Sequence, residues 1–271
     1  MPELAEVEFY RKQWNAGLRQ RILFVELRPD KRIFRGTDAN LLKKTLAGAT
    51  LLQSKAHGKQ MLFCFTRGGW LGLHLGMTGK LRVETASFPA LKHDHLILRQ
   101  KNQSLVFSDP RLFGRVLFRR GTTAPDWWAD LPSSLTSRNF TLSVLAGFVR
   151  RHGRAPIKAV LLLQSGFPGI GNWMADEILW QSGLHPRIAA GKIENASLQT
   201  LFQKIRFVSA QAMRIVGKDF SDPPKSWLFR YRWKKKGACP RCAAMLEHAT
   251  IGGRTTCWCP KCQIESPMET D

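Results

Sequence analysis

Two Cys-x-x-Cys pairs near the end of the chain constrain it most: Cys239-Pro-Arg-Cys242 and, sixteen residues later, Cys259-Pro-Lys-Cys262. Each pair makes a tight knuckle that offers two thiolates to one metal. Two knuckles complete a tetrahedral four-sulfur site, which suits one structural Zn²⁺ on Cys239, Cys242, Cys259 and Cys262. Cys257 is left over, as a spare thiol or an occasional substitute ligand. Between the knuckles, Met245–Ile251 and Thr255–Cys259 read as a hairpin joined at Gly252-Gly253-Arg254, with Arg254 at the turn. By itself Arg254 is an ordinary solvated arginine. On a basic protein, an arginine projected from a metal-held tip is a probe for phosphate or a groove.

The chain is strongly basic. Among 271 residues, 42 Lys and Arg face 20 Asp and Glu, a net charge of +22. The hydrophobic fraction of 44% excludes a disordered basic tail, because there is ample apolar material for a core. A folded protein that tolerates this self-repulsion is expected to meet a polyanion. No apolar run approaches the length of a membrane span, and Met-Pro-Glu-Leu-Ala-Glu lacks the basic-then-apolar order of a signal peptide. The expectation is an intracellular monomer with no membrane partner, in the cytoplasm or nucleoid if bacterial. Clustered cysteines in a reducing compartment again favour metal over disulfides.

The patterning predicts an α+β chain. Leu4, Val7, Trp14 and Leu18 recur at helical spacing, with Pro2 and Glu3 at the helix start. Short apolar runs follow at Ile22–Leu27, Met61–Thr66, Trp70–Leu75, Leu96–Arg99, Leu105–Ser108 and Val116–Phe118, the mark of a β-sandwich or barrel. A helix is expected at Asn40–Ala47 and a linker at Gly121–Pro132. Helical periodicity returns at Leu142–Arg150, Ile157–Gln164, Asn172–Gln181 and Leu198–Val216. The expected domains are 1–122, an N-terminal helix with a β-sandwich; 123–226, a helical domain; and 227–271, the cysteine module.

The N-terminus carries chemistry of its own. Removal of Met1 would leave Pro2 with a free secondary amine, which attacks an aldehyde carbon to give an iminium ion and so creates an electron sink. Glu3 and Glu6 are three residues apart and share a helix face, where they can give and take protons. The same residues are also ordinary helix-start residues.

Further segments decide between these readings. Gly58-Lys59, His74-Leu-Gly-Met77, Asp109-Pro-Arg-Leu-Phe-Gly114 and Pro168-Gly-Ile-Gly-Asn172 lie between Met-Pro-Glu-Leu-Ala-Glu-Val-Glu and the four-cysteine module. In this order and spacing they resemble the formamidopyrimidine-DNA glycosylase and endonuclease VIII family, from Met1 to about Gln263. "Pro-Glu-Leu" looks like the formamidopyrimidine branch.

The resemblance implies an N-terminal helix with a β-sandwich, a helix–two-turn–helix domain and a zinc finger. It implies a bifunctional glycosylase and abasic-site lyase of base excision repair, acting on double-stranded DNA with oxidised bases. Pro2 would attack C1′, Glu3 would act as general acid and Glu6 would support the site. Lys59 would serve the damaged site and β-elimination, and Arg254 δ-elimination. Met77, Arg111 and Phe113 would fill the gap left by an extruded base. The alternatives are core residues at a strand edge for Met77 and Phe113 and an ion-pair partner for Arg111, but Asp109-Pro-Arg-x-Phe-Gly as a turn between two strands favours exposure. Lys158, Asn172 and His93 match DNA contacts. Arg154, with Arg150 and Arg151, is either a solvated face or a phosphate track. Gly169-x-Gly171-Asn172 opens a helix whose N-terminus suits phosphate. It is not a dinucleotide loop, because Met174 stands where a small residue is needed.

The chain departs from the family at Ala5 and at Gly217–Lys236, where a loop that caps 8-oxoguanine is replaced by a shorter, Pro223-Pro224-stiffened segment. Formamidopyrimidines, hydantoins or oxidised pyrimidines are therefore expected to be better substrates than 8-oxoguanine. The alternative from another class is a non-catalytic zinc protein that binds damaged or distorted DNA.

Overall fold

Short apolar runs along the first half of the chain pair into two antiparallel sheets, seen in a computed structural model that describes residues 1–234 and 236–264. Residues 265–271 of the expected cysteine module lie outside the described residues. The chain divides into two compact units, Met1–Leu131 and Pro132–Asp271.

The first unit opens with α1 (Leu4–Gln13), tightening into a 3₁₀ turn at Trp14–Gly17. Then follow β1 (Phe24–Leu27), α2 (Ala39–Leu46), β2 (Leu51–His57), β3 (Gln60–Phe65), β4 (Gly69–His74), β5 (Lys80–Thr85), β6 (Asp94–Arg99), β7 (Gln103–Ser108) and β8 (Arg115–Arg120). One sheet runs β1-β6-β7-β5 and the other β2-β3-β4-β8. Their inward side chains, among them Phe63, Phe65, Leu71, Leu73, Leu98, Leu105 and Phe107, form one core with Trp14 of the 3₁₀ turn after α1.

The sequence patterning missed β2 and β5. Both are largely polar, Leu-Leu-Gln-Ser-Lys-Ala-His and Lys-Leu-Arg-Val-Glu-Thr, and few of their side chains are buried. Their strand state comes from pairing with β3 and β7. The expected linker Gly121–Pro132 contains a short helix, α3 (Asp126–Ala129), whose Trp128 ring meets His57 edge-on at 6.1 Å.

The second unit holds α4 (Leu142–Arg151), α5 (Ile157–Leu161), α6 (Asn172–Ser182) and α7 (Asn195–Asp219). α5 stops three residues before the predicted Gln164, in turns that Gln164 closes through bonds to Ile170 O and Gly169 N–H. α6 is buried on every side from Trp173 to Trp180, so it is the central helix of this unit. A hairpin of β9 (Glu247–Ile251) and β10 (Arg254–Trp258) follows.

Candidate active site and nucleic-acid interface

Two anchors set the direction of α1. At its far end, Gln100 Nε2 donates to Gly17 O at 2.9 Å, and Arg19 N–H donates to Leu51 O, at the start of β2, at 2.7 Å. Midway, Arg11 donates to Ser54 Oγ at 2.6 Å. From Arg11 back to Glu3 a helix rises about 12 Å, and from Ser54 on to His57 a strand advances about 10 Å. The helix start therefore reaches the level of the Gly58-Lys59 turn between β2 and β3. Glu3 is buried there, its N–H held by the Glu6 carboxylate at 3.1 Å, while Pro2 is half-buried beside it.

The same end of the sandwich collects further cations. Lys59 is buried and precedes Gln60, which pairs with His74, which in turn pairs with Arg115. Burial, then the charges of Lys59 and Arg115, push His74 below the usual histidine range. Its Nδ1 accepts the Gly76 N–H at 3.0 Å, so it is a neutral ring with the proton on Nε2. A cavity of about 730 Å³ opens here, lined by Arg32, Arg35, His74, Phe113 and Arg115 among others. In the sequence His74 stands out only as part of a motif; its pairing with Arg115 is a matter of sheet register.

Two loops meet at this end. At Gly76, φ is +60°, and a Cβ there would lie 2.3 Å from the Phe113 carbonyl carbon. Glycine thus lets the loop carrying Met77 press against the loop carrying Arg111 and Phe113. Asp109 organises the second loop: one carboxylate oxygen accepts from Thr78 Oγ1 (2.8 Å) and the Arg111 N–H (3.3 Å), the other from the Gly114 N–H (2.7 Å). Arg32 Nε holds Leu112 O at 2.6 Å, and Leu112 sits at φ +58°. The guanidinium groups of Arg32 and Arg111 lie over the Phe113 ring at 4.7 and 4.9 Å. Met77 is 38% and Phe113 44% exposed, so neither is a core residue. His93 is half-buried and its carbonyl receives the Asp109 N–H, which places it at the same end.

In the second unit the expected contacts form one chain of bonds. Lys158 has no exposed surface. Its ammonium pairs with Asp176 and donates to Asn172 O at 2.8 Å. It therefore acts in this structure as a buried support for the start of α6, not as a surface phosphate contact. Asn172 Nδ2 donates to Thr255 O at 2.7 Å, next to Arg254. The other Asp176 oxygen takes Arg232 Nε at 3.0 Å and the Cys257 N–H at 3.3 Å. Asp176 and Arg232 escaped the sequence reading because no local pattern marks a buried ion pair between distant segments. Arg254 is exposed at the first position of β10, after a turn of Gly252 and Gly253, both with positive φ. A Cβ on Gly252 would meet Ala159 Cβ at 2.7 Å, so the hairpin tip rests on α5. Arg154 is exposed just before α5.

The four sulfurs of Cys239, Cys242, Cys259 and Cys262 lie within 4.8 Å of one another. The Cys239–Cys262 separation is 3.9 Å, and Cys242 stands 3.5 Å from both Cys259 and Cys262. A tetrahedral zinc with Zn–S bonds of 2.3 Å requires sulfurs about 3.8 Å apart, so the set fits. Burial raises the Cys239 thiol, but N–H groups aimed at Sγ, Arg241 and the Trp180 indole among them, bring it down to about 7. Cys257 points elsewhere, and burial with the nearby Asp176 charge pushes it up to about 12. No cysteine forms a disulfide among the described residues.

Within Gly217–Lys236, apart from Lys235, which lies outside the described residues, 218–222 are exposed and the stretch around Trp227 is packed. Trp227 and Leu228 are buried, Arg230 Nε donates to Pro223 O at 3.0 Å, and the Phe229 N–H donates to Glu177 at 3.1 Å.

Comparison with known proteins gives a consistent picture. Residues 1–116 match the formamidopyrimidine-DNA glycosylase N-terminal domain, and residues 132–222 match the H2TH domain of the same enzyme. Formamidopyrimidine-DNA glycosylase of Xanthomonas axonopodis pv. citri is 36% identical over 275 residues, covering 97% of this chain and 100% of that protein. That of Solibacter usitatus is 31% identical, covering 97% and 99%. The Lactococcus lactis enzyme with DNA containing an abasic site superposes with a TM-score of 0.87 at 27% identity, over 97% of this chain and 100% of that one. With DNA containing an oxidised pyrimidine, the TM-score is 0.88 at the same identity and coverage. The chain belongs to the formamidopyrimidine-DNA glycosylase family.

Proposed function

We propose that this protein is a DNA glycosylase of base excision repair that also cleaves the abasic strand, with Pro2 as its nucleophile. The observation that carries this reading is the convergence of Pro2, Glu3, Lys59 and the Met77, Arg111 and Phe113 loops at one end of the sandwich. Relatives solved with abasic and oxidised-pyrimidine DNA support the same substrate class.

The Pro2 amine, freed by loss of Met1, bonds to C1′ of the damaged nucleotide. Glu3 gives the proton that assists sugar-ring opening, and the bond from C1′ to the base breaks. Glu6, bonded to the Glu3 N–H, fixes the helix start on which both act. The secondary amine leaves an iminium that is charged without a further proton. It accepts the electron pair when C2′ loses a proton and the 3′ phosphate departs; a second elimination releases the 5′ phosphate. Lys59 serves the first elimination and Arg254 the second. Phe113, Met77 and Arg111 occupy the space of the extruded base, replacing part of its lost stacking. His93 and Arg154 contact the backbone. Asn172 does so with Lys158 and Asp176 behind it. One zinc on Cys239, Cys242, Cys259 and Cys262 holds the hairpin that carries Arg254. The work divides among 1–122 for catalysis, 123–226 for DNA binding and 227–271 for the zinc module.

Borohydride trapping on an abasic-site duplex tests the reading. Wild type forms a covalent adduct; Pro2→Gly binds the duplex within about threefold of wild type but loses most of the adduct and of strand cleavage. Wild-type cleavage by Pro2→Gly removes Pro2 as the nucleophile, and an untrapped wild type with intact Pro2 supports a binding protein instead.

A further inference from the structure

Of the nine tryptophans, all within the described residues, Trp233 alone is exposed. It keeps 66% of its surface in solvent, in a turn whose preceding residue is anchored inside the unit. The residue before it, Arg232, is buried and bound to Asp176 through Nε and a terminal nitrogen. The Arg232 carbonyl receives His248 Nε2–H at 2.8 Å. The Lys234 N–H returns to Tyr231 O at 3.1 Å and the Gly237 N–H to Lys234 O at 3.0 Å, so the turn is closed on both sides of the ring. The Arg232 guanidinium lies over one face of the indole, 4.0 Å from its centroid. Lys234 and Lys236 flank it, both exposed, and no carboxylate occurs between Tyr231 and Lys236.

We propose that Trp233 is a stacking platform for a nucleobase that has left the duplex stack, a proposal that rests on the DNA-directed reading above. An indole with 66% of its surface in solvent presents a flat π face to a flat partner. The flanking lysines and the net charge of +22 favour a polyanion over an apolar protein face. A nucleic acid offers both groups at once: phosphates for the lysines and a flat base for the indole. The guanidinium beneath the ring fixes its plane before the base arrives, so little ordering is left for binding. Stacking asks only for a π face, not for a pattern of donors and acceptors. The platform therefore accepts unpaired purines and pyrimidines alike, including damaged ones, without reading their edges.

The test uses the full zinc-loaded chain and three labelled DNAs of one sequence: an intact duplex, the same duplex with a single-base bulge, and the single strand. Binding is followed by anisotropy at several salt concentrations. Trp233→Ala should weaken binding to the bulge and the single strand by about 5- to 150-fold, the range for one base on one aromatic ring. Binding to the intact duplex should change by less than about twofold. Trp233→Phe should recover most of the loss, because it restores a ring without the indole N–H, and the salt slope should stay that of wild type. An equal loss on all three DNAs, no loss on the bulge, or a shallower salt slope in Trp233→Ala overturns the platform. Borohydride trapping of the wild type, run in parallel, separates the two readings. Trapping without a bulge-specific loss removes the platform alone; a bulge-specific loss without trapping keeps the platform and removes the lyase.

Discussion

Glu177 has no exposed surface, and its carboxylate accepts the Phe229 N–H at 3.1 Å and Gln181 Nε2 at 2.8 Å. Burial is the main reason its pKa rises to about 7, with the Asp176 charge adding to it. A carboxyl that holds its proton more tightly when folded stabilises the fold below its unfolded pKa. That contribution is lost as pH rises through about 7. Wild type should therefore lose up to about 3 kcal/mol between pH 4.5 and 7 that Glu177→Gln keeps. Urea unfolding of both proteins across this range checks it; parallel curves would show that Glu177 ionises normally in the fold. Nothing in the local sequence distinguishes Glu177 from a surface glutamate. What makes it different is the segment 228–229 folded back over α6.

The C-terminal hairpin is held by more than its four cysteines. Its tip rests on Ala159, and Asn172 and Asp176 bond to Thr255 and Cys257 on β10. Cys259→Ser should release zinc, loosen the hairpin and weaken DNA binding by about tenfold or more, while Cys257→Ser keeps its zinc. Metal analysis of the two variants decides this, and zinc retained in Cys259→Ser would contradict the ligand set. The neighbouring segment 217–236 carries a second prediction. Its stretch from 223 to 230 is tied to the body of this unit through Trp227, Leu228 and the Arg230 bond to Pro223, which leaves only a short exposed part to cover a base. Each hydrogen bond a capping loop would supply is worth about 1 kcal/mol. Losing a few of them should make 8-oxoguanine excision slower than formamidopyrimidine excision by one to a few powers of ten. Single-turnover rates on one duplex context, with cytosine opposite each purine lesion, make the comparison. Equal rates would mean another segment recognises 8-oxoguanine.

At the scale of the whole molecule the dominant property is charge. Arg111, Arg115, Arg154 and Arg254 are exposed. If each meets one phosphate, log affinity falls with log salt at a slope near −3.6, about a 150-fold loss between 50 and 200 mM. Titration of a lesion-containing duplex at four salt concentrations measures the slope; a value shallower than about −1 would show that these arginines do not bind the backbone. No helix among the described residues is long and apolar enough to cross a membrane.

The sequence by itself determined whatever depends on residue type and short spacing. Two Cys-x-x-Cys pairs placed four sulfurs at metal-binding distances, because each knuckle is local geometry. The helix Leu142–Arg151 followed from 3.6-residue periodicity, and the central strands from continuous apolar runs. The tertiary structure decided the rest. β2 and β5 carry too little apolar signal to announce themselves and exist because a neighbour pairs with them. Lys158 has the look of a phosphate ligand, yet Asp176, eighteen residues away, draws its ammonium inside. A buried charge must find its partner wherever the fold puts one, and no periodicity records that choice. Pro2, Lys59 and Phe113 lie far apart along the chain. They share one end of a sandwich only because strand register and two hydrogen-bond anchors on the N-terminal helix bring them there.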